Sequence, residues 1–212
     1  LLKGKARDGK AVQAQIAKLR AAWLDKWSPK TASRDTPINP YRVIADFNEL
    51  VDPNTAIVTH DSGSPRYQMC PTYRAGGPRS YIGWGKSHQL GTGLGLIMGA
   101  KLAAPDKFCV NFMGDAAFGM TGLDFETAVR SDIPILTIVL NNSSMAVETR
   151  HMKTSHDLFR TRDLRVNYAD IGKAMGGWAE RITNPEEISH APGRARKATD
   201  SGRAALLEFV TS

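Results

Sequence analysis

Two apolar runs, the second of them β-branched and each leading into a polar dipeptide, leave this chain a narrow choice of folds. Phe108-Cys109-Val110-Asn111-Phe112 leads into Gly114-Asp115, and Ile133-Pro134-Ile135-Leu136-Thr137-Ile138-Val139-Leu140 ends in Asn141-Asn142. A helix-like run separates them. Parallel strands joined through a helix bring both strand ends to one edge of a sheet. That edge is where open α/β sheets bind ligands. Asp115 and Asn142, 27 positions apart, are therefore expected to lie close in space.

One carboxylate and one neutral amide oxygen at a strand-end crevice suit a hard divalent cation. Mg2+ takes few protein oxygens and fills its octahedron with phosphate oxygens and water. A second carboxylate would repel the phosphates, so an amide is the better partner. Gly114 lets the backbone approach an anion closely, and the amides opening the next helix can receive it. The same pattern also fits an ordinary βαβ unit with a capping Asp and an Asn-Asn turn.

The rest of the chain alternates in the same way. Val12, Ile16, Leu19, Trp23 and Trp27 recur at helical spacing and predict a helix over 10–27 whose apolar stripe needs a partner surface. Residues 28–40 read as a linker. Asn39-Pro40 is a helix start, with Asn as N-cap and Pro in the first turn, and the helix reaches about Val51. A strand over 56–60 leads into Asp61-Ser62-Gly63-Ser64-Pro65, a small loop able to cradle an anion. Residues 66–89 carry only a short strand near Ser80-Tyr81-Ile82. Gly85-Lys86-Ser87 fails as a P-loop, because Ser80 stands where a Gly is required. The glycines at 91, 93, 95 and 99 make no dinucleotide fingerprint and read as helix 91–104 packed closely on a neighbour. Helices over 121–131 and 168–175, a strand over 178–182, a helix from Pro185 to about Asp200 and a strand over 205–210 complete the pattern. Asp124 and Glu126 fall on different helix sides and form no catalytic dyad. The expected fold is a doubly wound, mainly parallel α/β sheet of about six strands with helices on both faces.

Composition excludes several function classes. At 212 residues and 42% hydrophobic content the chain can pack one core with an appendage. No apolar stretch is long enough to span a bilayer, so no membrane partner is expected. Cys70 and Cys109 give no metal spacing and no disulfide framework, and a reducing cytoplasm fits. The net charge of +7 arises within residues 1–34, which hold nine Lys or Arg against two Asp; the remainder is neutral. That distribution describes a solvated helix face better than a specific nucleic-acid site. The chain begins Leu-Leu without Met and is expected to start partway through something larger.

Gly114-Asp115, a spacer of this length and Asn141-Asn142 closing an apolar strand resemble the motif of thiamine-diphosphate-dependent enzymes, the acetolactate synthase and 2-oxoacid decarboxylase superfamily. The resemblance covers nearly the whole chain. It implies residues 1–38 as the end of a preceding domain plus a link, and 39–212 as the diphosphate- and Mg2+-binding domain. It implies Asp115, Asn142 and the carbonyl of Ser144 as metal ligands. Ser62, Gly63, Ser64, Gly114, Asp115, Ala116, Ala117, Asn142, Ser144, Met145 and Ala146 would surround the cofactor. Counting back from Gly99-Ala100 puts Leu90 at the apolar wedge beneath thiamine diphosphate, with His88, Gln89 and Leu90 beside its pyrimidine and His88 a candidate for proton transfer. Ala116 departs from the family's usual Gly, so the local backbone must avoid positive φ. Ser64 and Pro65 stand where relatives usually carry Gln-His. A segment over 148–166 would be mobile, offering Arg150 or His151 to substrate. The implied activity is decarboxylation or carboligation of a 2-oxo acid such as pyruvate. An oxalyl-CoA decarboxylase-like or 2-hydroxyacyl-CoA lyase-like reaction, or a non-catalytic nucleotide-binding module, remains the alternative. The family's catalytic Glu lies on a pyrimidine-binding domain, expected from the same longer polypeptide or another subunit, so a homo-oligomer is implied.

Overall fold

A computed structural model of the chain describes residues 8–83, 89–147 and 151–212. Six strands form one sheet in the order β2-β1-β3-β4-β6-β5, and every pairing is parallel. In chain order these are β1 (Ala56–His60), β2 (Tyr81–Ile82), β3 (Phe108–Gly114), β4 (Leu136–Asn141), β5 (Trp178–Ile182) and β6 (Ala205–Val210). Around them lie α1 (Gly9–Thr31), α2 (Pro40–Leu50), α3 (Ser64–Thr72), α4 (Thr92–Ala103), α5 (Asp115–Thr121), α6 (Asp124–Arg130), α7 (Lys153–Phe159), α8 (Tyr168–Ala174) and α9 (Ala191–Asp200).

The period-two alternation of the strands builds two cores. On one face Phe108, Val110 and Phe112 of β3 pack with Val43, Ile44 and Phe47 of α2, Met69 of α3 and Ala195 of α9. On the other, Cys109 and Met113 pack with Leu94 and Ile97 of α4, Phe118 of α5, Phe125 of α6 and Tyr168 of α8. Phe112 meets Phe47 edge-on at 5.1 Å between ring centroids. Burial on both faces is why the central strands read as unbroken apolar runs.

The order matters for the site. The connection from β1 runs outward to β2, then β2 returns across β1 to β3. The loops leaving β1 and β3 therefore part in opposite directions and open a crevice at their carboxyl ends. Among the described residues no helix is long and apolar enough to cross a membrane.

Several elements differ from expectation. Helix α1 continues through Pro29 to Thr31, into the stretch read as linker. A proline at 29 cannot donate to the carbonyl of Asp25, and the hydroxyl of Ser28 does so instead at 2.8 Å. The α1 stripe is poorly covered: Val12, Ile16 and Leu19 are 43%, 59% and 65% exposed, and the helix is anchored through Trp27, which stacks on Trp23 and meets Tyr41 of α2 at a tilt. α3 occupies residues read as irregular. Of the helix expected over 121–131 only α6, Asp124–Arg130, forms; a separate helix, α5, ends at Thr121, Gly122-Leu123 breaks the run between them, and Leu123 is 80% exposed. A Cβ at Gly122 would lie 2.5 Å from the Phe118 carbonyl, so only glycine fits the break. The helix expected over 185–200 is a 3-10 turn, Pro185–Glu187, followed by α9, because Pro192 must stand in a first turn. Residues 153–159, expected to be mobile, form α7.

Candidate functional site

The carboxyl ends of β1, β3 and β4 surround a cleft of about 250 Å3. Ser62, Gly63 and Ser64 enter from the loop after β1, and Gly114, Asp115 and Ala116 from the end of β3. Asn142, Ser144, Met145 and Ala146 enter from the loop after β4, and Leu90 from the turn before α4. Ala117 does not line it. As the third residue of α5 it is fully buried among the core residues of the second face. Gln89 is exposed and lies outside the cleft, and His88 and Arg150 lie outside the described residues. His151 sits in an exposed turn. Tyr67, Gln68, Leu140, Val147, Thr211 and Ser212 also line the cleft. Tyr67 and Gln68 escaped sequence reading because α3 did.

Asp115 and Asn142 meet as their strand positions require. The Ser144 N–H donates to Asp115 Oδ2 and to Asn142 Oδ1, each at 3.2 Å. The other carboxylate oxygen of Asp115 accepts from the Ala116 N–H at 2.8 Å. Asp115 is 2% exposed. Burial raises its pKa above the ordinary carboxylate value, opposed by the N–H groups of Ala116, Ser144 and Ser143. Behind it lies Tyr168, whose phenol is pushed up to about 12, first by burial and then by the charges of Asp115 and Glu208. Ser143 supplies the bend that aims Ser144, with φ 58°. Its N–H donates to Asn141 Oδ1 at 2.9 Å. Ala116 lies in the first turn of α5 and avoids positive φ.

A second buried carboxylate, outside the set of residues expected at the site, organises the opposite wall. Asp61 follows β1 and is fully buried. Its Oδ1 accepts from Ser62 N at 2.7 Å and Gly91 N at 2.8 Å, and its Oδ2 from Gly93 N at 2.9 Å. Burial raises its pKa, while the three N–H groups and His60 lower it. Thr121 of α5 holds the same turn from the other side, donating to the Gly91 carbonyl at 3.1 Å. The turn has no room for side chains: a Cβ at Gly91, where φ is +96°, would lie 2.1 Å from Thr121, and one at Gly93 2.5 Å from Asn111 Oδ1. Leu90 is thereby fixed over the cleft. Gly63, at φ +85°, passes beneath it, and a Cβ there would lie 3.7 Å from Leu90 Cδ2. A signal for Asp61 existed in the sequence, an acidic residue closing a strand ahead of a glycine-containing loop, but its long-range partners lie 30 and 32 positions away.

This arrangement offers oxygen donors for a hard cation, glycine-lined backbone for an anion, and an apolar wedge between them. Comparison with known proteins agrees with that chemistry. Residues 61–209 match the family described as thiamine pyrophosphate enzyme, C-terminal TPP binding domain. The chain is 29% identical over 179 residues to a probable acetolactate synthase of Mycobacterium bovis, covering 82% of this chain and 32% of that protein. It is 28% identical over 214 residues to the mitochondrial acetolactate synthase catalytic subunit of Aspergillus candidus, covering 94% and 30%. A sulfoacetaldehyde acetyltransferase of Rhodobacter capsulatus is 32% identical over 164 residues, covering 74% and 28%. The chain thus spans about a third of the length of these relatives.

Proposed function

This chain belongs to the thiamine pyrophosphate enzymes, as their C-terminal TPP binding domain, and from that premise we propose that it forms the diphosphate- and Mg2+-binding half of a carboligase or decarboxylase acting on a 2-oxo acid such as pyruvate. The observation that carries this reading is the shared Ser144 N–H, which brings the Asp115 carboxylate and the Asn142 amide oxygen together at the cleft. The donor chemistry fits the cation. Asp115 lines the cleft with its charge disfavoured by burial. A cation beside it restores that stabilisation. Hard oxygen donors few in number are what Mg2+ takes when phosphates complete its shell.

In this reading Asp115, Asn142 and the Ser144 carbonyl hold Mg2+, and the backbone of Ser62–Ser64 and Gly114–Ala116 receives the diphosphate. Thiamine diphosphate, when bound, supplies an electron sink for carbanion chemistry beside a carbonyl. Leu90, Met145 and Ala146, which line the cleft, would pack against the bound cofactor. Asp61 keeps Leu90 in place and touches neither substrate nor cofactor. The acetolactate synthases among the relatives support pyruvate as the 2-oxo acid of this proposal.

Residues 39–212 are the cofactor domain and 1–38 the end of a preceding one with its link. A pyrimidine-binding domain with a catalytic Glu comes from the remainder of the polypeptide or from another subunit of a homo-oligomer. Relatives about three times as long support that division. Calorimetric titration of the full-length protein with thiamine diphosphate in Mg2+ tests the reading. Asp115→Ala and Asn142→Ala should each abolish Mg2+-dependent binding, and unchanged affinity in either variant refutes it.

A further inference from the structure

We propose that Glu208 is a positioning residue for the cation site: through the side chain of Asn141 it holds the Asn142–Ser144 turn in the shape that site needs. The inference rests on the assignment of Mg2+ to Asp115 and Asn142. Glu208 lies within β6 and is 0% exposed. A carboxylate there is costly unless its oxygens are met. Oε1 accepts from Asn141 Nδ2 at 2.7 Å and from Arg181 Nε at 3.2 Å. Oε2 accepts from the Ala169 N–H at 2.8 Å, in the first turn of α8. Asn141 and Arg181 thus reach the carboxylate from the two strands flanking β6.

An apolar side chain of similar volume would fill this place without the desolvation cost. It would not orient Asn141. The Nδ2 group of Asn141 lies between two acceptors, Glu208 Oε1 and the Val166 carbonyl at 3.3 Å. Its Oδ1 must then be the end facing Ser143, whose N–H it accepts. That bond helps hold Ser143 at φ 58°, a conformation costly for a residue with a Cβ. The bend aims the Ser144 N–H between Asp115 and Asn142. Hydrogen bonds link Glu208 to Asn141 and Asn141 to Ser143, and the peptide bond to Ser144 carries that placement on to Asp115 Oδ2 and Asn142 Oδ1, two of the three oxygens assigned to the metal. Partners of this kind, one step behind a ligand, fix its orientation.

The test uses the donor and acceptor inventory of the pair. Glu208→Gln keeps the shape but turns one acceptor into an NH2 group that faces donors, either Asn141 and Arg181 or the Ala169 N–H. Adding Asn141→Asp restores the match between these two side chains alone: the new amide donates to the new carboxylate, whose other oxygen still accepts from Ser143, while Arg181 loses its acceptor and the Val166 carbonyl faces a carboxylate oxygen. Mn2+ uptake by the full-length protein in the presence of thiamine diphosphate is read from the EPR signal of free Mn2+. Glu208→Gln should weaken it about ten- to hundredfold, and the double variant, in which the bond between the two side chains and the bond to Ser143 are restored, should recover part of the loss. A single variant that binds Mn2+ like wild type, or a double variant no better than the single, overturns the proposal while leaving the cofactor assignment standing. A wild-type protein that takes up no Mn2+ overturns both. Should Glu208→Gln not fold, Asn141→Ala removes the relay alone, and unchanged Mn2+ affinity in that variant is the refuting result.

Discussion

Removing the Asp61 carboxylate should loosen the wall that carries Leu90, by an amount its hydrogen bonds allow to be worked out. Asp61→Ala leaves the Gly91 and Gly93 N–H groups without their acceptor, in a site where Asp61 itself is fully buried. A buried donor left unmet costs about 1–3 kcal/mol, so the two together cost roughly 2–6 kcal/mol. The Ser62 bond is local and adds less. Relief of the buried charge, whose pKa is raised by desolvation, returns part of that cost. At about 2–4 °C per kcal/mol for a chain of this length, the melting temperature should fall by about 5–20 °C. Asp61→Asn separates the bonds. Its oxygen can still serve Ser62 and Gly91, which share Oδ1, while its NH2 faces the Gly93 N–H. The loss should be about half that of Asp61→Ala. Thermal denaturation followed by circular dichroism measures both, and hydrogen exchange at the Gly91 and Gly93 amides locates the effect. An Asp61→Ala protein melting within 2 °C of wild type would show that the carboxylate does not hold the turn.

Other consequences follow from the same geometry. Thiamine diphosphate with Mg2+ at about 100 times its dissociation constant adds about 2.7 kcal/mol, so wild type should melt roughly 5–10 °C higher when loaded; Asp115→Asn should show no such rise. A raised pKa means that folded Asp115 holds its proton more tightly than the unfolded chain does. Without metal, wild type should therefore gain stability relative to Asp115→Asn as pH falls from neutral into the carboxylate range. The gain from Mg2+ should fade over the same range, as protons compete for the ligand; melting curves across pH measure both. Gly93→Ala places a methyl carbon against Asn111 Oδ1 and Asp61 Oδ2 and should cost about 1–3 kcal/mol, read by urea denaturation. Leu19→Lys on the exposed side of α1 should change the stability of the 39–212 domain by under about 0.5 kcal/mol; a larger loss in the full-length protein would mark the α1 stripe as packed against the rest of the preceding domain.

The strands were legible because their burial leaves a plain mark. β1, β3, β4 and β6 are apolar runs of a doubly covered sheet, and the alternation with helices forces them parallel. The meeting of Asp115 and Asn142 was legible for the same reason, since both close neighbouring parallel strands. What escaped depended on partners far along the chain. Asp61 gains its role from amides 30 and 32 positions away, and Glu208, read along the strand alone, looks like an alternating surface residue. α3 was hidden by Pro65 and Pro71, of which the first opens the helix. The break at Gly122 comes from a close approach to the Phe118 backbone that no periodicity reveals. The α1 boundary moved because a hydroxyl replaced the hydrogen bond that Pro29 cannot make.

The most direct test of the central assignment is a crystal structure of the full-length protein grown with thiamine diphosphate and Mn2+, with the ion located by its anomalous scattering. The account predicts one ion coordinated by Asp115, Asn142 and the Ser144 carbonyl, with the diphosphate completing its shell and Leu90 beneath the bound cofactor. An ion placed elsewhere, or a cofactor bound in the cleft without a metal at Asp115, would contradict it.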